Sequence, residues 1–102
     1  MYAIAFSEGV EEELRALRAY DQALILDEIE EQLSQRPDVP TRRKKILEDL
    51  TAPEEWSAVP PIWQLRVGED FRVFYDVDRE KQLVWVRAIR RKSPHKTTGE
   101  IL

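Results

Sequence analysis

Arg66 and Arg72 stand on either side of a glycine turn in the segment Trp63-Gln-Leu-Arg-Val-Gly-Glu-Asp-Phe-Arg-Val-Phe-Tyr-Asp-Val-Asp78. A guanidinium is permanently charged, planar and forked, so two of them on a rigid support form a receptor for phosphate oxygens. Further along, Arg87, Arg90, Arg91, Lys92 and Lys96 follow in quick succession, with His95 among them. His95 is the lone histidine of the chain. Its ordinary pKa lies near neutrality, which makes it the only ready proton carrier in this half. Arg43 and Lys45 belong to a second basic run, Thr41-Arg-Arg-Lys-Lys45. Together these residues suit the binding of a polyanionic backbone. Were phosphodiester chemistry to occur, the arginines would stabilise charge growing on the scissile phosphate.

Each of these residues also has a plainer reading. Strand arginines commonly pair with neighbouring carboxylates, here Glu69, Asp70 or Asp76. A basic run such as 41–45 is often only a solvated surface. His95 follows Pro94 in a loop and can be an idle, hydrated side chain. Arg87 is weighed more towards a structural role than Arg66 and Arg72. Trp85 shares the Arg87 face, where it can stack a base or pack beneath the tail.

The elements that position these groups follow from periodicity. Trp63, Leu65 and Val67 alternate with Gln64 and Arg66, and Phe71, Val73, Tyr75 and Val77 alternate with Arg72, Phe74 and Asp76. Period two predicts a hairpin turning at Gly68, Glu69 and Asp70, with one face apolar and buried. A third strand is predicted over 83–90, with Val84, Val86 and Ala88 on one face. At the other end, 2–6 reads as a short strand and Ser7 as a helix cap. A first helix follows over 8–19. Asp21 then caps a second helix running to about Gln35, with Leu26, Ile29 and Leu33 inward. Residues 37–61, broken by five prolines, read as loops around a short helical turn or irregular strand, and 97–102 as a tail of about one helical turn. The expected fold is α+β: an N-terminal strand and an antiparallel helical hairpin packed on one face of a small, mainly antiparallel curved sheet. The opposite face of that sheet is expected to be partly open.

A chain of 102 residues forms one domain, 1–102, with a single core. It has no cysteine and one histidine. No metal site and no cofactor are therefore expected, and the composition suits a reducing cytoplasm. Neither a signal segment nor a long apolar stretch is present, so no membrane role is expected. The formal net charge is −4, but residues 1–40 carry −7 and residues 41–102 carry +3. Polarity of this kind steers partners.

The residues Trp63-Gln-Leu-Arg-Val-Gly, Phe71-Arg-Val-Phe-Tyr-Asp-Val, Val84-Trp-Val-Arg-Ala-Ile89 and Arg91-Lys92, together with the β-α-α opening, closely resemble the RelE/ParE superfamily of bacterial type II toxins. The resemblance covers nearly the whole chain. It implies a toxin neutralised by a cognate antitoxin, whose acidic amphipathic segment would dock on the basic face and in grooves beside the helical hairpin. RelE-like members cut messenger RNA on the ribosome, as metal-independent endoribonucleases; ParE-like members bind DNA gyrase without chemistry of their own. On the RelE-like reading the resemblance implies catalytic roles for Arg66, Arg72 and Lys92, with His95 as acid or base. Arg87, Arg90, Arg91, Lys96, Arg43 and Lys45 would then hold nucleic acid. Ile62 and Gln64 stand where RelE-type enzymes carry lysines, and Thr97 and Thr98 stand near an expected tyrosine. Those departures and the acidic balance favour the ParE-like alternative.

Overall fold

The computed structural model describes residues 1–93 and 96–102. Its core is a five-stranded sheet of order β1-β5-β4-β3-β2. The strands are β1 (Ala3–Phe6), β2 (Lys44–Ile46), β3 (Trp63–Val67), β4 (Phe71–Asp78) and β5 (Leu83–Arg91). β1 runs parallel to β5, and every other pairing is antiparallel. This is the expected α+β architecture, and of the two sequence readings of the segment after Pro40, a short helical turn or an irregular strand, the strand holds: β2 is an edge strand on β3.

Alternation in β3 and β4 sends Trp63, Leu65, Val67, Phe71, Val73 and Tyr75 to one face, where all are buried. Two helices, α1 (Val10–Arg15) and α2 (Ala19–Leu33), cover that face. Both differ in detail from the sequence reading. The first is shorter, and its N-cap is Gly9 in the left-handed region (φ 93°) rather than Ser7. Arg18, with ψ 152°, breaks the chain before α2, so Asp21 lies inside the first turn instead of capping it. Ile25, Ile29 and Leu33 form the inner stripe at strict i, i+4 spacing, whereas Leu26 is 40% exposed. Leu26 loses to Ile25 because only one of two adjacent positions can face the sheet.

β5 contains a register shift: Phe74 pairs with Ala88 but Tyr75 pairs with Val86. The bulged residue is Arg87. Val84 and Val86 therefore join the helix-side core, Ala88 turns to the other face, and Ile89 takes its place. The expectation of Val84, Val86 and Ala88 on one face fails for this reason.

The face away from the helices is more fully covered than expected, and open only in part. Trp56, on a short 3-10 helix (Glu54–Trp56), is buried with Phe74 and Ala88, and its ring centroid lies 5.4 Å from that of Phe74. Ile101 and Leu102 of α3 (Thr98–Ile101) and its end pack against the same cluster. Leu47, Ala52 and Ala58 complete the cover. What remains open is the hairpin end of that face.

Polar ties fix the long 37–61 connection. Lys44 is buried, and its ammonium donates to the carbonyls of Gln32 (3.0 Å) and Arg36 (2.6 Å) at the end of α2. Gln32 is in the last turn of α2 and Arg36 lies just beyond its Ser34 C-cap, so Lys44 ties down the C-terminal end of the helix, where carbonyls run out of helical partners. The Tyr75 hydroxyl donates to the Pro37 carbonyl at 2.7 Å. Asp76 accepts from Arg87 Nε at 2.7 Å and from the Val59 backbone N–H at 3.2 Å, while Arg87 also donates to the Ser7 hydroxyl at 3.1 Å. The Asp76 and Arg87 side chains are only 4% and 11% exposed. Among the described residues, no helix is long and apolar enough to cross a membrane.

Two stability predictions follow from these ties. Burial, and secondarily Asp38, push the Tyr75 phenol above its ordinary 10.0. Above pH 10 the unfolded chain loses a proton that the folded chain keeps, so this contribution is complete below pH 10 and declines as pH rises beyond it. Tyr75→Phe is expected to lose about 1–3 kcal/mol at neutral pH, because the Pro37 carbonyl is left unpaired. The gap to the parent protein should narrow in alkaline denaturant titrations. Removing one partner of a buried ion pair strands the other charge, so Asp76→Ala is expected to cost about 3–5 kcal/mol in urea unfolding. Exposed Glu80→Ala should stay within about 0.5 kcal/mol of the parent.

Candidate nucleic-acid interface

The hairpin register sets Arg66 directly opposite Arg72, and the β4–β5 register sets Arg72 opposite Arg90. Like charges facing one another across strands destabilise a sheet unless something holds them apart. Each guanidinium here has a different fate. Arg90 is drawn away by the Glu13 carboxylate of α1, which also accepts from the Ile89 backbone N–H. Arg72 is only 8% exposed and donates to the carbonyls of Phe71 (2.8 Å) and Glu69 (3.3 Å). Arg66 is exposed and its Nε reaches the Gly68 carbonyl at 3.3 Å. Gly68 supplies the left-handed residue of the turn (φ 58°), a conformation that glycine adopts without strain. The backbone carbonyls of the turn thus steady both arginines, and neither pairs with a carboxylate among the described residues.

Burial pulls the Arg72 guanidinium below its ordinary pKa, and the neighbouring Arg66 pulls it further; Asp70 partly opposes them. Arg72 stays charged at neutral pH, but its charge is poorly compensated. An incoming anion would meet less competition there than at a salt-bridged arginine.

A concavity of about 240 Å³ opens at this end of the sheet. Arg66, Arg72 and Lys92 line it together with Arg42, Arg43 and Lys45. Lys92 is brought in by its backbone N–H, which donates to the Asp70 carbonyl at 2.6 Å. Lys45 arrives through β2, whose register pairs it with Gln64. Buried Lys44 also borders the space, with Thr41, Gln64 and Thr98 as the neutral lining residues. Among the described residues, no carboxylate lines it. Gln64 is 5% exposed, and its side-chain carbonyl accepts from the Thr98 hydroxyl at 2.9 Å, so the C-terminal turn forms part of the wall. Arg42, Lys44, Gln64 and Thr98 were not among the sequence candidates. The signal for Lys44 and Lys45 was the basic run itself, but only strand pairing aims it.

Other sequence candidates lie elsewhere. Arg87 is held by Asp76, with its guanidinium 4.9 Å from the Trp85 ring centroid, and does not join this concavity. Trp85 is half-buried in a different groove rather than beneath the tail. Arg90 is committed to Glu13, with its guanidinium 5.9 Å from the Trp56 ring centroid. Arg91 lies over the Phe71 ring at 4.7 Å and within 3.9 Å of Asp21. Arg43 is at the concavity but pairs with Glu28 at 2.9 Å. Lys96 is exposed, and His95 lies outside the described residues.

Comparison with known proteins bears on the family and the fold. Residues 4–94 match the family described as "ParE toxin of type II toxin-antitoxin system, parDE". No curated protein matches the sequence. Among solved structures, the RelBE2 toxin–antitoxin complex from Mycobacterium tuberculosis contains a chain with TM-score 0.69 and 21% identity, covering 89% of this chain and 98% of that one. The isolated RelE toxin of E. coli gives TM-score 0.67 at 19% identity, over 98% of this chain and 94% of that one. The archaeal RelE–RelB complex from Pyrococcus horikoshii gives 0.62 at 18%, over 91% and 97%. At such identities the likeness to solved structures establishes a shared RelE-like fold. By its sequence, this chain belongs to the ParE toxin family of type II toxin–antitoxin systems.

Proposed function

We propose that this chain is a growth-arresting toxin that binds the phosphodiester backbone of RNA in its basic concavity and cuts messenger RNA on the ribosome in the RelE manner. The observation that carries this reading is the convergence of Arg66, Arg72, Lys92, Lys45 and Arg42 on one hollow that no described carboxylate lines. A solvated charged face has no need of such exclusion. In the proposed reaction the 2′-hydroxyl oxygen bonds to phosphorus and the bond to the 5′-oxygen breaks. The products are a 2′,3′-cyclic phosphate and a 5′-hydroxyl, with no metal required. Arg72 and Arg66 offset charge growing on the phosphoryl oxygens, Lys92 neutralises an adjacent phosphate, and His95 is the proposed proton carrier. Arg87, Arg90 and Arg91 are assigned supporting roles in the fold, whereas Lys96, Lys45 and Arg43 remain candidate backbone contacts.

A cognate antitoxin is the natural partner under this reading, since the structurally similar M. tuberculosis chain comes from a toxin–antitoxin complex and the P. horikoshii chain from a RelE–RelB complex. An acidic amphipathic segment would compete for the same hollow. The cytoplasm, where messenger RNA and ribosomes are found, is the proposed place of action.

A second reading, inhibition of DNA gyrase by binding alone, is favoured by two observations. The matched family is described through parDE. The lining of the concavity also contains arginine, lysine, glutamine and threonine but no carboxylic acid, tyrosine or described histidine.

Expression of the parent chain without antitoxin should arrest growth and create new 5′ ends within translated messages. Arg72→Ala should reduce cleavage by about 10²–10³-fold, as expected for losing one pre-aimed charge stabiliser. Arrest without new RNA ends, together with loss of supercoiling activity on adding purified toxin to gyrase, would replace the first reading by the second. Binding of a single-stranded RNA should weaken linearly in log salt, and Arg66→Ala with Lys92→Ala should flatten that slope by about 0.7 per lost phosphate contact.

A further inference from the structure

The hollows of this molecule are sorted by charge. Two adjoining grooves at the hairpin end share Arg42, Arg43 and Arg66. Their linings contain seven lysines and arginines against two glutamates. Two other grooves, which share Ile46 and Pro61, show the reverse. Their linings hold five carboxylates and two guanidiniums, with no lysine. The floor of this second pair is apolar, built from Ile46, Leu47, Val59, Pro61, Val77 and Trp85. Val59 is 65% exposed there.

The carboxylates of the acidic pair are not equivalent. Asp76 is consumed by Arg87, and Asp38 is paired with Arg79 at 2.6 Å. Asp78 accepts a backbone N–H from Lys81 at 3.0 Å and pairs with no cation among the described residues. Glu80 and Glu48 are exposed and likewise hold no cation. One face of the Trp85 ring is occupied by the Arg87 guanidinium.

We propose that these two contiguous grooves are a docking surface for a partner-protein segment that is both apolar and basic, lying across Ile46 and Pro61. Its apolar side chains fill the floor, and its lysines or arginines meet Asp78, Glu80 and Glu48. Charge complementarity decides the occupant. A nucleic acid or an acidic segment would be repelled from this rim, while a purely apolar segment would leave three carboxylates unanswered. The volumes, about 610 and 740 Å³, accommodate several residues of extended chain. This surface is independent of the reaction proposed above: it needs neither Arg72 nor RNA.

The test uses the full chain, labelled for amide and indole NMR, and two synthetic peptides with blocked ends. One alternates leucine with lysine, and the other alternates leucine with glutamate. The lysine peptide should produce saturable shifts at Val59, Val77, Glu80 and the Trp85 indole, and the glutamate peptide none there. Asp78→Asn with Glu80→Gln removes two rim pairings, so binding should weaken about two- to thirty-fold. Val59→Asp, at an exposed position, should weaken it further, and Arg72→Ala should leave it unchanged. Shifts confined to the glutamate-rich outer faces of α1 and α2, equal binding of both peptides, or no saturable binding would each overturn the proposal. So would concentration-dependent self-association that Glu80→Lys abolishes, since the occupant would then be the basic arm of a second copy.

Discussion

The central strand β4 is buried on both sides along Phe71–Asp76, and that constraint governs the rest of the molecule. A strand flanked by neighbours and covered on both faces has no place for a hydrated charge, yet this one carries Arg72 and Asp76. Each is resolved differently. Asp76 receives Arg87, Val59 and a dry surrounding, so it becomes a structural tie. Arg72 receives only carbonyl oxygens, which share its protons without cancelling its charge. The same burial therefore yields a closed ion pair at one end of the strand and an unanswered cation at the other.

Unanswered charge must be supported by geometry because it is opposed by electrostatics. Arg66 and Arg72 are cross-strand neighbours, and their repulsion falls directly on the hairpin. The short Gly68–Asp70 turn absorbs it by aiming carbonyls at the guanidiniums, and the Lys92 backbone clips β5 to the same turn. Glu13 removes Arg90 from the row, so the repulsion is confined to two arginines rather than three. A bound phosphate would relieve that strain and would stabilise the fold through binding linkage. Binding and stability thus draw on one arrangement.

Most of the scaffold was legible because hairpin alternation and helical periodicity are local signals. Trp63 to Val77 could be assigned to two strands, and Ile29 and Leu33 to an inner stripe, from spacing alone. What spacing could not reveal was register between distant segments. The bulge at Arg87 swaps Ala88 and Ile89 between faces, and nothing local to 83–90 announces it. The cover over the second face depends on Trp56 and Leu102 meeting at Phe74, contacts between residues far apart in sequence. The convergence of the candidate residues was legible to the same extent. Arg66, Arg72 and Lys92 are set by the hairpin and its clip, and they converge. Arg87 is weighed from sequence towards a structural role, and its pairing with Asp76 agrees with that, whereas Arg90 reads as part of a basic surface because its carboxylate partner, Glu13, comes from a distant helix.

The acidic total of the chain at first argues against a polyanionic ligand, and the fold shows why that argument is weak. Net charge acts at long range, whereas binding is decided within a Debye length of about 8 Å at physiological salt. The charged residues lining the concavity around Arg72 are all lysine and arginine among the described residues, and Asp70 and Glu28 are the carboxylates that oppose them. Under the proposed function, the field of the glutamates of α1 and α2 would slow the approach of nucleic acid from the helix side and leave the hairpin end as the favourable route. It would also slow non-specific association elsewhere on the surface. An acidic chain with one basic hollow is therefore more selective about where a phosphate backbone settles than a uniformly basic one. On the docking proposed for the acid-rimmed grooves the same logic extends to proteins, since each hollow would reject what the other would accept.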